Sequence, residues 1–267
     1  MVFDPMLLIL AFLTAVIDII FVMGFGLTMT PILLFLNYTP KEIVPSLLLS
    51  SLIGNILSSF FNHRLKNADF TPGGHLFKIV ILIGAVGIAG SISGATLNTE
   101  ISNFYLGLYI GTLITGTWLF LLLNKSLVID FSWAKIAILS LFGSFNKGIS
   151  GSGFGPIITT GLLYMKISEK EAVSVQSFSE LFISLVGFVT FLVYGSAVNW
   201  DLTLSLSVGV AASAPIAAFI MPVFPPDTSV YDALKDMKER GVSLALVGDV
   251  KSKTGLLIMD EVIRRML

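Results

Sequence analysis

The chain has 267 residues, 55% hydrophobic and 12% charged, with a mean hydropathy of +0.91 and a net charge of −1. A soluble domain carries about a quarter charged residues, so this composition all but excludes a water-soluble fold. Zero cysteines exclude disulfides, thiolate metal sites and cysteine nucleophiles, and the near-neutral charge offers no basic footprint for nucleic acid.

A bilayer core of about 30 Å needs about 20 apolar residues per helix. Apolar runs sit near 6–36, 43–61, 76–97, 104–124, 134–165, 171–194 and 202–222. They predict an all-α polytopic membrane protein of about seven segments. The first and fifth runs are too long for one plain span and are interrupted by glycines, so both are expected to be discontinuous. The first is not a secretory signal, because Asp4 and no Lys or Arg precede it and no small-residue cleavage site ends it. Arg64, Lys66, Lys78, Lys125 and Lys135 lie near the connectors after the second and fourth runs, against Lys41, Lys166 and Lys170 beside the first and fifth. Five against three favours the former set as cytoplasmic, yet seven simple crossings would then put the C-terminus outside, so this reading leaves orientation open. The expected location is a prokaryotic plasma membrane, crossed several times.

After Met221-Pro222-Val223-Phe224-Pro225-Pro226 the composition changes: 14 of the 33 charged residues fall in 225–267. The prolines stop a helix and stiffen a linker, which divides the chain into a membrane domain, 1–222, and a soluble tail, 223–267. In the tail, Asp227-Thr228-Ser229 caps a predicted helix carrying Val230, Ala233, Leu234 and Met237, with Gly241 ending it. Val242–Val247 and Thr254–Ile258 read as strands, and Met259–Leu267 as a helix.

Sliding the sequence by 129 positions superposes Gly24-Phe25-Gly26 on Gly153-Phe154-Gly155, Leu33-Leu34-Phe35 on Leu162-Leu163-Tyr164, and Thr39-Pro40-Lys41-Glu42 on Ser168-Glu169-Lys170-Glu171. One position further out of register, Asp69-Phe70 meets Asn199-Trp200. Two homologous repeats follow, about 5–124 and 134–222, the second losing its fourth run where the tail begins. Transporters are commonly built from duplicated halves, with the substrate site at their interface. A helix interrupted inside lipid is tolerated only beside a cavity or other protein, and the freed N–H groups at a half-helix start attract anions. Gly24 and Gly26, and Gly151, Gly153 and Gly155 in Ser150-Gly151-Ser152-Gly153-Phe154-Gly155-Pro156, are therefore candidates for binding a small anion. The competing reading is close helix packing.

Three ionisable residues sit deep in apolar runs: Asp18, Lys147 and Glu180. Such groups are functional candidates because burying them is costly. Asp18 and Lys147 are also 129 apart, so they either pair across the repeat interface or divide labour. In the second case Lys147 meets an anionic substrate while Asp18 or Glu180 carries a coupling proton. A structural ion pair is the plainer alternative. Ser46 and Ser50 share one helix face, as do Gln176 and Glu180; with Ser177 they make a candidate polar lining, against interhelical hydrogen bonding as the competing role. His63 and His75 read as solvated loop residues. No HExxH, P-loop or GxSxG pattern occurs, so no catalytic residue, cofactor or metal is expected.

Over about residues 5–222 the sequence resembles the sulfite exporter TauE/SafE family. Each half of that family carries a glycine-rich turn, a Pro-Leu-Leu helix, a short loop, and an Ala/Val-Ser helix ending near an Asp/Asn-Trp pair. The first half here supplies Gly24, Gly26, Pro31-Ile32-Leu33-Leu34, Pro40, Ser46-Leu47 and Asp69-Phe70, with Phe70 where Trp is usual. The second supplies Gly151, Gly153, Gly155-Pro156, Ala172-Val173, Ser177, Gly195 and Asn199-Trp200. The resemblance implies membrane transport of small sulfur-containing or organic anions such as sulfite, sulfonates or sulfoacetate-like compounds. A passive anion channel, or a non-transporting membrane sensor that uses its tail, are the alternatives. The tail resembles a single CBS motif through Pro226–Val230, Gly241-Val242-Ser243 and Gly255-Leu256-Leu257. Ile258 replaces the usual hydroxyl residue and Asp260 comes one position early, so a homodimer contact is expected there rather than an adenosine nucleotide.

Overall fold

The computed structural model describes residues 4–21, 24–64, 70–123, 129–194, 198–220, 223–224, 244–247 and 255–258. The chain forms two compact units, Met1–Ala214 and Pro215–Leu267. The helices are α1 (Pro5–Phe21), α2 (Phe25–Phe35), α3 (Pro40–Arg64), α4 (His75–Glu100), α5 (Asn103–Leu123), α6 (Trp133–Ser150), α7 (Phe154–Tyr164), α8 (Glu169–Val193) and α9 (Trp200–Ile220). Among the described residues, three stretches are long and apolar enough to cross a membrane: Pro40–Phe60, His75–Glu100 and Glu171–Val193. Exposure agrees with a lipid solvent. Phe104 and Ile138 are 75% and 68% exposed, while Ser46, Ser144 and Asn146 are fully buried.

The first apolar run becomes α1 and α2, and the fifth becomes α6 and α7, each pair folded back on itself. The breaks fall where glycine alone is comfortable: Gly24, Gly151 and Gly153 have φ of 86°, 72° and 87°, a region in which a Cβ is penalised. α2 returns along α1, with Thr14 Oγ1 3.6 Å from Met29 Sδ. α7 returns along α6: a Cβ on Gly143 would stand 3.5 Å from Ile157 Cγ2, and one on Gly161 2.5 Å from Leu139 Cδ1. The far ends of the two hairpins share one local geometry. Asn37 and Lys166 close the turns at φ of 66° and 65°. Tyr38 N–H donates to the Leu33 carbonyl at 3.0 Å, and Ile167 N–H to the Leu162 carbonyl at 3.1 Å. The next helix then starts with a glutamate side chain turned back onto the residue that precedes the helix. Thr39 N–H donates to Glu42 Oε2 at 2.9 Å, and Ser168 with Glu171 forms a capping box.

Small residues let the remaining helices come close. α4 is pressed against α6: Ser140 Oγ donates to the Ile83 carbonyl and Asn98 Nδ2 to the Ile149 carbonyl, both at 2.7 Å. A Cβ on Gly94 would stand 2.8 Å from Ile149 N. Gly94→Val is expected to cost about 1–3 kcal/mol by overpacking, read as a lowered Tm in detergent. On its other side α4 meets α8 through Ser91 Oγ, which donates to the Ile183 carbonyl at 2.8 Å.

α3 and α9 run parallel. Asn199 Nδ2 reaches Glu42 Oε1 at 3.2 Å, Ser46 Oγ meets Thr203 Oγ1 at 2.7 Å, and Ser50 Oγ meets Ser207 Oγ at 3.3 Å, each pair 157 apart in sequence. α1 lies parallel on the same α9: Asp4 N–H donates to Ser205 Oγ at 3.1 Å, and a Cβ on Gly209 would press on Ala11 at 2.7 Å.

In the second unit, β1 (Val223–Phe224) pairs parallel with β2 (Leu244–Val247), which pairs antiparallel with β3 (Gly255–Ile258). β2 and β3 lie inside the two segments read as strands. β1 falls in the proline linker, where an apolar dipeptide between prolines retains the N–H and C=O groups needed for one short edge pairing. The tail helices expected from sequence lie outside the described residues.

Candidate functional site

Lys147 sits in the last turn of α6, only 3% exposed. Its Nζ lies 2.6 Å from Glu180 Oε1 and donates to Ser51 Oγ at 2.8 Å. The other Glu180 oxygen accepts from Gln176 Nε2, one turn earlier on α8. A buried ion pair is tolerated when such extra bonds satisfy its remaining lone pairs and protons; here a hydroxyl and an amide supply them.

Asp18, one turn before the end of α1, accepts from the backbone N–H groups of Gly24 and Phe25 at the start of α2. It lies within electrostatic reach of both Glu180 and Lys147. The direct Asp18–Lys147 pair entertained from sequence is therefore corrected. The positive end of α2 holds Asp18, and the carboxylate that Lys147 contacts comes from α8.

The two hairpin tips touch. A Cβ on Gly26 would stand 2.8 Å from Ser152 Cβ, and one on Gly24 3.2 Å from Pro156 Cδ. The Cβ position of Gly155 is 3.6 Å from both Gly24 Cα and Gln176 Nε2. Gly151 turns towards α3, where a Cβ would meet Leu47 Cδ1 at 3.0 Å. Gly24, Gly26, Gly151, Gly155, Asp18, Lys147, Gln176 and Glu180 thus gather around the meeting point of α2 and α7. Gly153 faces Asn146 and Leu113 instead, and Tyr109 Oη donates to Asn146 Oδ1 behind it.

Three other candidates sit elsewhere. Ser46 and Ser50 are committed to the α3–α9 seam, and Ser177 meets Ser58 at 3.5 Å between α3 and α8. Ser50→Ala is expected to lower stability by less than about 1 kcal/mol, in line with interhelical bonds in membranes, read as a small fall in Tm in detergent. His75 packs its ring against Phe131 and Trp133, with centroids 4.9 Å and 5.6 Å away; the His63 side chain lies outside the described residues.

Ser51 was missed from sequence although a signal existed, because it is the residue 129 positions before Glu180. Thr30 and Thr159 were missed too. They are 129 apart, one on each returning helix, and both hydroxyls are buried with no hydrogen-bond partner among the described residues.

Chemically, the arrangement offers two half-helix starts that face each other. A built-in carboxylate fills the first, and the second has the Gln176 amide beside it, itself bonded to the Glu180 of the Lys147 ion pair. Comparison with known proteins gives this geometry a context. The chain matches the sulfite exporter TauE/SafE family over residues 7–231. It is 26% identical over 215 residues to the probable membrane transporter protein YtnM of Bacillus subtilis (strain 168), spanning 76% of this chain and 70% of that one. No solved structure matches it significantly. Matched along most of its length, the chain belongs to the sulfite exporter TauE/SafE family of membrane transporters.

Proposed function

We propose that the chain carries small sulfur-containing or organic anions across the membrane, binding them at the start of α7 between the two hairpin tips. One observation carries this reading. Asp18 satisfies the start of α2, whereas the residue 129 positions later is Lys147. The second half thus has a cation at the sequence position where the first half has its capping carboxylate, and the Gln176 amide lies 3.6 Å from the Cβ position of Gly155 at the start of α7. Half-helix starts of this kind bind anionic substrate groups in other transporters.

Lys147, Glu180 and Asp18 together carry a net −1 when all are ionised, which opposes a second anion. A coupling proton carried by Asp18 or Glu180 would remove that repulsion. Ser51 keeps the ammonium in place, and Gln176 turns its amide to the incoming oxyanion. Loading is thus read as the anion entering with one proton.

The halves are read as two repeats. The matched turns at Asn37 and Lys166, the glutamate caps on Thr39 N–H and Ser168 N–H, and the buried hydroxyls of Thr30 and Thr159 all support this at the same spacing of 129. The tail is read as a CBS-like element joining two copies.

Counterflow in proteoliposomes with sulfite, thiosulfate, sulfoacetate and taurine tests the assignment. Saturable flux of at least one anion, weak for zwitterionic taurine, is expected. Unitary currents without saturable exchange would make the protein a channel. No flux together with nucleotide binding by the full chain would make it a sensor.

A further inference from the structure

The course of the helices bears on how the chain sits in the bilayer. α1 and α3 both run parallel to α9, through Asp4–Ser205 and through the rungs Glu42–Asn199, Ser46–Thr203 and Ser50–Ser207. α6 and α8 both run parallel to α4, through Ser140–Ile83, Asn98–Ile149 and the fit of Gly87 and Gly187 against Ile183 and Ser91. The two sets oppose each other: Lys41 at the start of α3 donates to the Thr99 carbonyl at the end of α4, at 2.8 Å. The first hairpin leaves and returns at the end of the bundle where α3 and α9 begin. The second does so at the opposite end, where Ile129 N–H, just before α6, donates to the Tyr164 carbonyl at the end of α7, at 2.8 Å.

We propose that α1–α2 and α6–α7 are re-entrant hairpins entering the bilayer from opposite faces. The chain then crosses only five times, by α3, α4, α5, α8 and α9. The face that receives the α3–α4, α5–α6 and α7–α8 connectors is cytoplasmic. Re-entrant backbone at membrane depth is tolerated where protein buries it, and the tips at Gly24–Gly26 and Gly151–Gly155 are buried against each other.

The hairpins change the charge count. With Lys166 and Lys170 moved to the same face as Arg64, Lys66, Lys78, Lys125 and Lys135, the cations flanking the connectors stand seven against Lys41 alone. That asymmetry is a decisive positive-inside signal, where seven simple crossings gave five against three. The N-terminus is then outside and the segment after α9 cytoplasmic. The α1–α2 hairpin forms the outer wall of the site, and α6–α7 its cytoplasmic wall. This placement holds whatever the substrate is.

The chain has no cysteine, so single-cysteine variants report without further engineering. Asn37→Cys and Lys166→Cys mark the two turns, both exposed, and Ser102→Cys and Asp130→Cys calibrate the two faces. Seven simple crossings put positions 37 and 166 on the same face as 102; two hairpins put 37 with 102 and 166 with 130. In intact cells a membrane-impermeant maleimide is expected to label positions 37 and 102. Positions 130 and 166, and a C-terminal tag, should react only after permeabilisation. Labelling of 37 and 166 from one face, or of 166 in intact cells, overturns the proposal. Ser168→Cys replaces position 166 if that variant does not accumulate.

Discussion

Lys147→Ala is expected to lower the stability of the fold by about 3–5 kcal/mol, the cost of leaving a buried carboxylate without its cation. The number follows from geometry. Glu180 Oε1 has Lys147 Nζ at 2.6 Å, and both residues are buried. Removing the ammonium leaves Gln176 as the remaining donor to Glu180 among the hydrogen bonds described, and the chain must protonate Glu180 or admit water. Adding Glu180→Gln removes the orphaned charge and should recover most of the loss. Thermal unfolding of both variants in detergent checks this. If the single variant is as stable as the parent, Lys147 and Glu180 do not form the pair described.

Gly26→Val is expected to separate the hairpin tips. The new side chain would start 2.8 Å from Ser152 Cβ, and its Cβ would collide with the Gly151 carbonyl oxygen. Backbone on the far side cannot rotate away as a side chain would. Overpacking of this kind costs about 1–3 kcal/mol and sometimes more, and transport should fall with it because the start of α7 loses its position. Gly107→Ala on α5 is the control: a Cβ there meets nothing within 4 Å, and relief of glycine's entropy should stabilise the helix by about 0.5–1 kcal/mol. Equal losses at both positions would mean that the tips do not touch.

Sequence patterning located the breaks well, since a glycine cluster inside a long apolar run has few other uses in lipid. It also singled out Lys147, Glu180 and Asp18, because a charge inside such a run is conspicuous. It could not say which carboxylate Lys147 meets. That depends on α8 being laid beside α6 and on the start of α2 capturing Asp18, both consequences of tertiary packing. Serines were the least legible. Ser46, Ser50 and Ser51 are neighbours on α3, yet the first two face α9 while Ser51 faces Lys147. Hydropathy does not distinguish these faces, because a hydroxyl at a helix seam and one at a site are buried alike. The folding back of α2 on α1 and of α7 on α6 was also hidden, since an apolar run with a glycine break reads the same whether it continues across the bilayer or returns.

Saturable anion flux in proteoliposomes, compared between the parent chain and the charge-neutral pair Lys147→Met with Glu180→Gln, tests the central claim most directly. The pair keeps the net charge of the cluster, so its Tm should stay close to that of the parent. If Lys147 and Glu180 bind and load the anion, flux falls by at least about a hundredfold, equivalent to about 2.8 kcal/mol, while the protein remains folded. Flux within about twofold of the parent, from a protein of unchanged Tm, would contradict the account and leave the ion pair a structural one.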